Sequence, residues 1–215
     1  MTAHTVTVDQ GTAWIRRFAD LVAQQKDLLT ELDAAIGDAD HGINMDRGMR
    51  AVCDKLDETS PQEADQLFKL VGMTLVSSVG GASGPLYGTF FLRLAAGCGP
   101  REHLSLDEFA KAWRAGVEGL AGRGRPELGD KTMFDSLHPA LAALDAAVAA
   151  GEPPGGAFRA AWQAAREGRD ATIPMVARKG RASYLGERSA GHQDPGATSA
   201  SLLFEAAAAV FAVPV

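Results

Sequence analysis

Three aspartates, a histidine and two glycines fall between Asp33 and Asn44, in the order Asp-Ala-Ala-Ile-Gly-Asp-Ala-Asp-His-Gly-Ile-Asn, flanked by apolar segments of helical period. Carboxylates crowded this closely repel one another, and a hard divalent cation that takes oxygen ligands, Mg²⁺ above all, relieves the repulsion. Asp33, Asp38 and Asp40 are therefore the candidate metal ligands. The competing reading is a solvated turn with helix caps, which uses the same residue types. A hard cation prefers oxygen, so His41 is assigned as a donor to phosphate rather than a ligand, with helix capping or support of the metal ligands from behind as its alternatives.

A second stretch, Gly80-Gly81-Ala82-Ser83-Gly84-Pro85, leads straight into an apolar helical pattern. Free backbone N–H groups at such a helix start attract an anion, Ser83 adds a hydroxyl donor, and small residues let a phosphate approach, the competing reading being an ordinary glycine-rich connection between helices. Arg178 to Arg188 brings several cations, of which Arg181 is the candidate phosphate clamp, because a guanidinium offers paired donors and stays charged. Gly191-His192-Gln193-Asp194-Pro195-Gly196 repeats the tight turn before a helix, with Asp194 as helix cap or as partner of a ligand hydroxyl. Met133 and His138 are packing residues by default, and Met133 is also suited to press on a flat ring.

Other chemistries fail on spacing. Gly124 to Thr132 imitates a P-loop, but Asp130 interrupts Gly-Lys-Thr and a helical pattern precedes it. The twelfth position of a calcium loop counted from Asp38 is Met49, not Glu. The histidines at 4, 41, 103, 138 and 192 lack the i,i+4 pairing of a zinc site, and no Gly-x-Ser-x-Gly elbow occurs. Net charge of −6 argues against nucleic acid as a partner. Cys53 and Cys98 supply neither a disulfide framework nor a zinc site, so a reducing cytoplasm is the default. Met1 to Gln10 has no leader pattern, and the most apolar segment, Ser199 to Val213, is shorter than a membrane span and carries Glu205.

The elements that must position these residues read as helices throughout, in one domain over residues 1–215. The first is capped by Thr12 and runs to Leu32, the second covers Asn44 to Leu56, and a third starts with Pro61 in its first position. A fourth opens at Pro85 and ends at Cys98, and Ser105 caps a fifth carrying Phe109, Trp113 and Val117. The sixth spans about Asp130 to Ala150, the seventh runs from Gly156 toward Val176, and the eighth covers Gly196 to Val213. No period-two alternation suggests a strand. Short connections favour antiparallel neighbours, so alternate connections share one end, and these hold nearly every chemically suggestive residue.

Taken together, Asp33…Gly37-Asp38-Ala39-Asp40-His41-Gly42, Gly80 to Gly88, Gly129-Asp130-Lys131-Thr132-Met133 and Gly180 to Ser199 resemble, in order, the nucleotide-binding L subunit of dihydroxyacetone kinase. The resemblance spans almost the whole chain and departs at Ala39, where the family usually has glycine. It implies a barrel of eight antiparallel helices with Asp33, Asp38 and Asp40 holding two Mg²⁺ ions against the phosphates of ADP or ATP. By the same resemblance, His41, Gly42, Ile43, Asn44, Ala82, Ser83, Gly124, Met133, Arg181, Asp194, Pro195 and Gly196 contact the nucleotide. Arg181 is the catalytic residue among them.

The implied reaction passes phosphate to dihydroxyacetone held on a separate K subunit. ADP is recharged by an M-type phosphohistidine carrier in one branch of the family, and nucleotide exchanges in the ATP-dependent branch. The alternatives are an ATP-dependent triose or tetrose kinase subunit, a nucleotide-loaded module docking on a transcription regulator, and a metal-stabilised scaffold.

Overall fold

The computed structural model describes residues 5–212. Val213, the predicted end of the last helix, lies outside them, as do the first four residues of the N-terminal stretch. Thr7 caps α1 (Val8–Gln24) in a reciprocal pair with Gln10, each side chain accepting from the other's backbone N–H at 3.2 Å. Thr12, the predicted cap, therefore sits inside the helix. At Gln25 the backbone leaves helical geometry, with φ −101° and ψ 7°, and α2 (Lys26–Ile36) follows. One predicted helix is thus two, because a kink without Pro or Gly leaves no mark on apolar spacing.

The chain continues through α3 (His41–Glu58), α4 (Ala64–Ser78), α5 (Ser83–Cys98), α6 (Leu106–Gly124), α7 (Phe134–Ala149), α8 (Pro154–Ala171) and α9 (Pro195–Phe211). Pro61 does not open α4. Glu63 precedes that helix in extended geometry, leaving Pro61 in the connection. Ser105 caps α6 as expected, in a capping box with Glu108. Helix α8 stops at Ala171, short of Val176, and the long loop before α9 contains a 3-10 segment, Arg181–Ser189, broken at Gly186.

Two short strands were not foreseen. β1 (Thr5–Thr7) pairs antiparallel with β2 (His103–Ser105), Val6 opposite Leu104. Three residues carry too little alternation to be seen, and their pairing partner lies far along the chain. This ribbon ties the start of α1 to the start of α6.

From α3 to α9 each helix packs on the next in sequence, and α9 closes the ring against α1, which also packs on α3. With α1 and α2 counted as one bent member, this is the predicted all-helical barrel of eight. Aromatic residues fill its middle. Trp14 stacks on Trp113 with ring centres 4.7 Å apart, and Trp113 lies 4.7 Å from Phe204. Small residues set the close approaches: a Cβ on Gly97 would stand 2.9 Å from Ala112 Cα, and Ala206 and Ala207 of α9 are fully buried.

Candidate functional site

Four connections, those following α2, α4, α6 and α8, meet at one end of the ring around an open cavity of about 210 Å³. The acidic residues come first. Asp33, Asp38 and Asp40 each offer an oxygen within 4.8 Å of the others. Asp33 is buried in the last turn of α2, and its Oδ2 accepts from the backbone N–H of Asp40 at 2.8 Å and of His41 at 3.1 Å. One carboxylate thereby ends the acidic loop and starts α3, satisfying amides that have no partner inside that helix.

Gly37 lets this happen, since a Cβ there would stand 2.0 Å from Asp33 Oδ1. Ala39 adopts φ +63°, the left-handed region where a methyl group costs about 1 kcal/mol over glycine. The effect of its methyl is therefore backbone strain, with the neighbouring carboxylates left in place.

Opposite the acids, Gly80, Gly81 and Ala82 form the turn into α5, and Ser83 is its first residue. Ser83 Oγ lies 3.0 Å from His41 Nδ1. Burial holds the His41 pKa below its ordinary value, against the pull of the Asp33 and Asp40 charges. Arg181 reaches in from the 3-10 segment, its guanidinium 2.9 Å from Asp38 Oδ2. Met133, Pro195 and Gly196 wall the far side, where a Cβ on Gly196 would stand 3.5 Å from Met133 Cβ.

Asp194 caps α9 through the Ala197 N–H at 2.7 Å. Burial raises its carboxyl from 3.8 to about 7, opposed by that N–H and by Lys131. The folded chain therefore holds a proton there that the unfolded chain has already released. This group's contribution to stability is full below its unfolded value and is lost as pH rises through about 7. Asp194→Asn keeps a capping side chain but cannot ionise. Its melting temperature relative to the parent, both free of nucleotide, is expected to rise between about pH 5 and pH 8.5; a constant difference would mean the carboxyl is ionised throughout.

Several expected contacts lie elsewhere. Gly42 faces α2, where a Cβ would stand 2.0 Å from the Lys26 carbonyl, and Ile43 is 51% exposed. Asn44 accepts from Arg47 at 2.8 Å and backs the Gly80 turn from behind. Gly124 stands one layer out, its carbonyl accepting from Lys179 Nζ at 2.9 Å. None of these four lines the cavity.

Conversely, Lys131 lines it without having been singled out. Its fully buried ammonium donates to the carbonyls of Thr172 at 2.7 Å, Met175 at 3.2 Å and His192 at 2.5 Å, holding both ends of the long loop. Tyr87 and Ser199, behind His41, were also passed over. All three fall inside the motifs quoted for the resemblance, which was the one signal available for them.

A closed ring of helices, with an acidic triad and a glycine turn facing each other at one end, is the arrangement of a known class. The chain belongs to the DAK2 domain family, which matches residues 35–209. The ADP-binding subunit DhaL of the PEP-dependent dihydroxyacetone kinase of Escherichia coli (strain K12) is 46% identical over 192 residues, 89% of this chain and 91% of that protein. The corresponding subunit of dihydroxyacetone kinase 1 of Listeria innocua is 43% identical over 94% of this chain and 96% of its own length. The crystal structure of the dihydroxyacetone kinase from C. freundii in complex with AMP-PNP and Mg²⁺ matches with a TM-score of 0.70 and 26% identity over 91% of this chain, which spans 33% of that longer one.

Proposed function

We propose that this chain is the ADP-binding subunit of a PEP-dependent dihydroxyacetone kinase. It holds ADP and Mg²⁺ in the cavity and passes a phosphoryl group to dihydroxyacetone carried by a separate K subunit. An M-type phosphohistidine carrier recharges the nucleotide, which stays bound as a cofactor. The observation that carries this reading is the convergence of three carboxylates and the Gly80–Ser83 turn on one cavity, in a chain so similar to subunits named for ADP binding.

The donor set fits the cation. Three carboxylates with no thiolate or free imidazole among them suit a hard ion, and Asp33, Asp38 and Asp40 would hold it. When bound, the ion neutralises polyphosphate charge and the nucleotide carries the group transferred. The protein's own contribution is placement. Asp33 is immobilised by two backbone N–H groups, so the acidic loop is preorganised. Backbone N–H groups at the start of α5 and the Ser83 hydroxyl face the phosphate region, and Met133 and Gly196 wall the side suited to a flat base. Among the described residues, Arg181 supplies the guanidinium that lines the cavity, where charge develops during transfer.

The test is nucleotide content by mass spectrometry after dialysis in Mg²⁺, followed by addition of a K subunit, the phosphohistidine carrier, a PEP supply and dihydroxyacetone. Retained ADP and sugar phosphorylation are expected. Rapid loss of nucleotide with ATP-driven transfer would move the chain to the ATP-dependent branch, and retention without transfer would favour the docking role on a transcription regulator. A protein that binds neither ADP nor ATP overturns the proposal.

A further inference from the structure

A chain of side-chain hydrogen bonds leads from the cavity wall into the core. Ser83 Oγ lies 3.0 Å from His41 Nδ1, His41 Nε2 lies 2.9 Å from Ser199 Oγ, and Tyr87 Oη lies 2.8 Å from the same Ser199 Oγ. It crosses α5, α3 and α9 before returning to α5. His41, Tyr87 and Ser199 are buried, and Ser83 is the half-exposed end.

Counting protons fixes the direction of the Tyr87 bond and leaves Ser199 one proton to place. Ser199 is the one hydrogen-bond partner of Tyr87 among the described residues, and a buried phenol that only accepted would leave its own proton unpaired. Tyr87 therefore donates, and burial pushes its pKa far enough up that it keeps the proton. Ser199 then has one proton and two acceptors in reach, His41 Nε2 at 2.9 Å and the Gly196 carbonyl at 3.1 Å. That carbonyl belongs to the first turn of α9 and already serves a helical amide. Donation to that carbonyl would go with a His41 protonated at Nε2 and a Ser83 that donates to Nδ1. The shorter contact, to an imidazole nitrogen that no other donor among the described residues serves from that side, favours donation to Nε2.

Donation to Nε2 leaves a neutral imidazole protonated at Nδ1, where its proton faces Ser83 Oγ. Ser83 accepts that proton's hydrogen bond and keeps its own proton for the cavity. With His41 protonated at Nε2 instead, Ser83 would donate inward and turn a lone pair toward any anion.

We propose that Tyr87 and Ser199 are positioning residues that hold His41 in its Nδ1-protonated tautomer and so commit the Ser83 hydroxyl to donate to a phosphoryl oxygen. The inference rests on the nucleotide-binding reading of the cavity. Neither residue touches the ligand; both act through His41.

Nitrogen-15 NMR of histidine-labelled protein, free of nucleotide at about pH 8, separates the two neutral tautomers, with the His41 signals identified by their loss in His41→Gln. The parent is expected in the Nδ1-protonated form, Ser199→Ala in the Nε2-protonated form, and Tyr87→Phe as a mixture. ADP affinity, read by calorimetry, falls about 10-fold in Ser199→Ala while adenosine affinity is unchanged, since the loss is one charged hydrogen bond at the phosphates. Tyr87→Phe removes a single oxygen and keeps the test open if Ser199→Ala folds poorly. The proposal is overturned by a parent whose His41 is protonated at Nε2 or at both nitrogens, by a tautomer that ignores both substitutions, or by an ADP affinity that ignores the tautomer. Because the tautomer is read without nucleotide, a parent unable to bind ADP would count against the proposed function and leave this readout standing.

Discussion

Arg181→Ala is expected to slow phosphoryl transfer to dihydroxyacetone by about 100- to 1,000-fold while changing ADP affinity by less than about 10-fold. The guanidinium lines the cavity from the 3-10 segment and pairs with Asp38 at 2.9 Å, with 66% of its side chain exposed. An ion pair that open to water is worth little to folding, so the melting temperature should hold. The backbone around it is anchored separately, by Ala182 packing with Ile36 and Ala177. Arg181→Lys keeps the charge but loses the fork of donors, and should fall between parent and alanine. Single-turnover transfer in the reconstituted system reads the effect. A normal rate with weakened ADP binding would instead assign Arg181 to holding the nucleotide in its ground state.

Asp38→Ala should raise the ADP dissociation constant in Mg²⁺ by about 100-fold or more, beyond the loss usual for a group that only supports a metal ligand. Its carboxylate is one of three oxygen donors within 4.8 Å of one another. It is the cleanest of the three to remove. Asp33 also carries the amides of Asp40 and His41, so truncating it would disturb the start of α3 as well as the site. Asp38 is exposed and, among the described residues, pairs with Arg181, so the fold should survive by circular dichroism. Calorimetry in Mg²⁺ and in EDTA separates the causes: parent and variant should converge once the cation is gone. Equal affinities in Mg²⁺ would remove Asp38 from the ligand set.

Much of this was legible along the chain. Ser105 announced α6 because a capping box is local, involving Glu108 three residues on. Apolar stripes located Phe109, Trp113 and Val117 correctly as core, since helical period maps directly onto burial. The topology argument also carried, in that four alternate connections do share one cavity. What failed was non-local. The ribbon of β1 and β2 joins residues about a hundred positions apart, and the break at Gln25 separates α1 from an α2 that packs on α3 and α9.

By itself the sequence determined the helical ring, the end at which chemistry gathers and the three carboxylates that crowd there, because periodicity, short connections and like-charge crowding are properties of neighbouring residues. Only the tertiary structure decided that the Asp33 carboxylate takes the first amides of α3 while facing Asp38 and Asp40, that Lys131 ties the long loop together through buried carbonyls, and that Tyr87 and Ser199 stand behind His41. Those roles depend on which donors meet which acceptors after the chain has closed on itself. A buried polar group must then take whatever partner the packing brings, and spacing along the chain does not specify that partner.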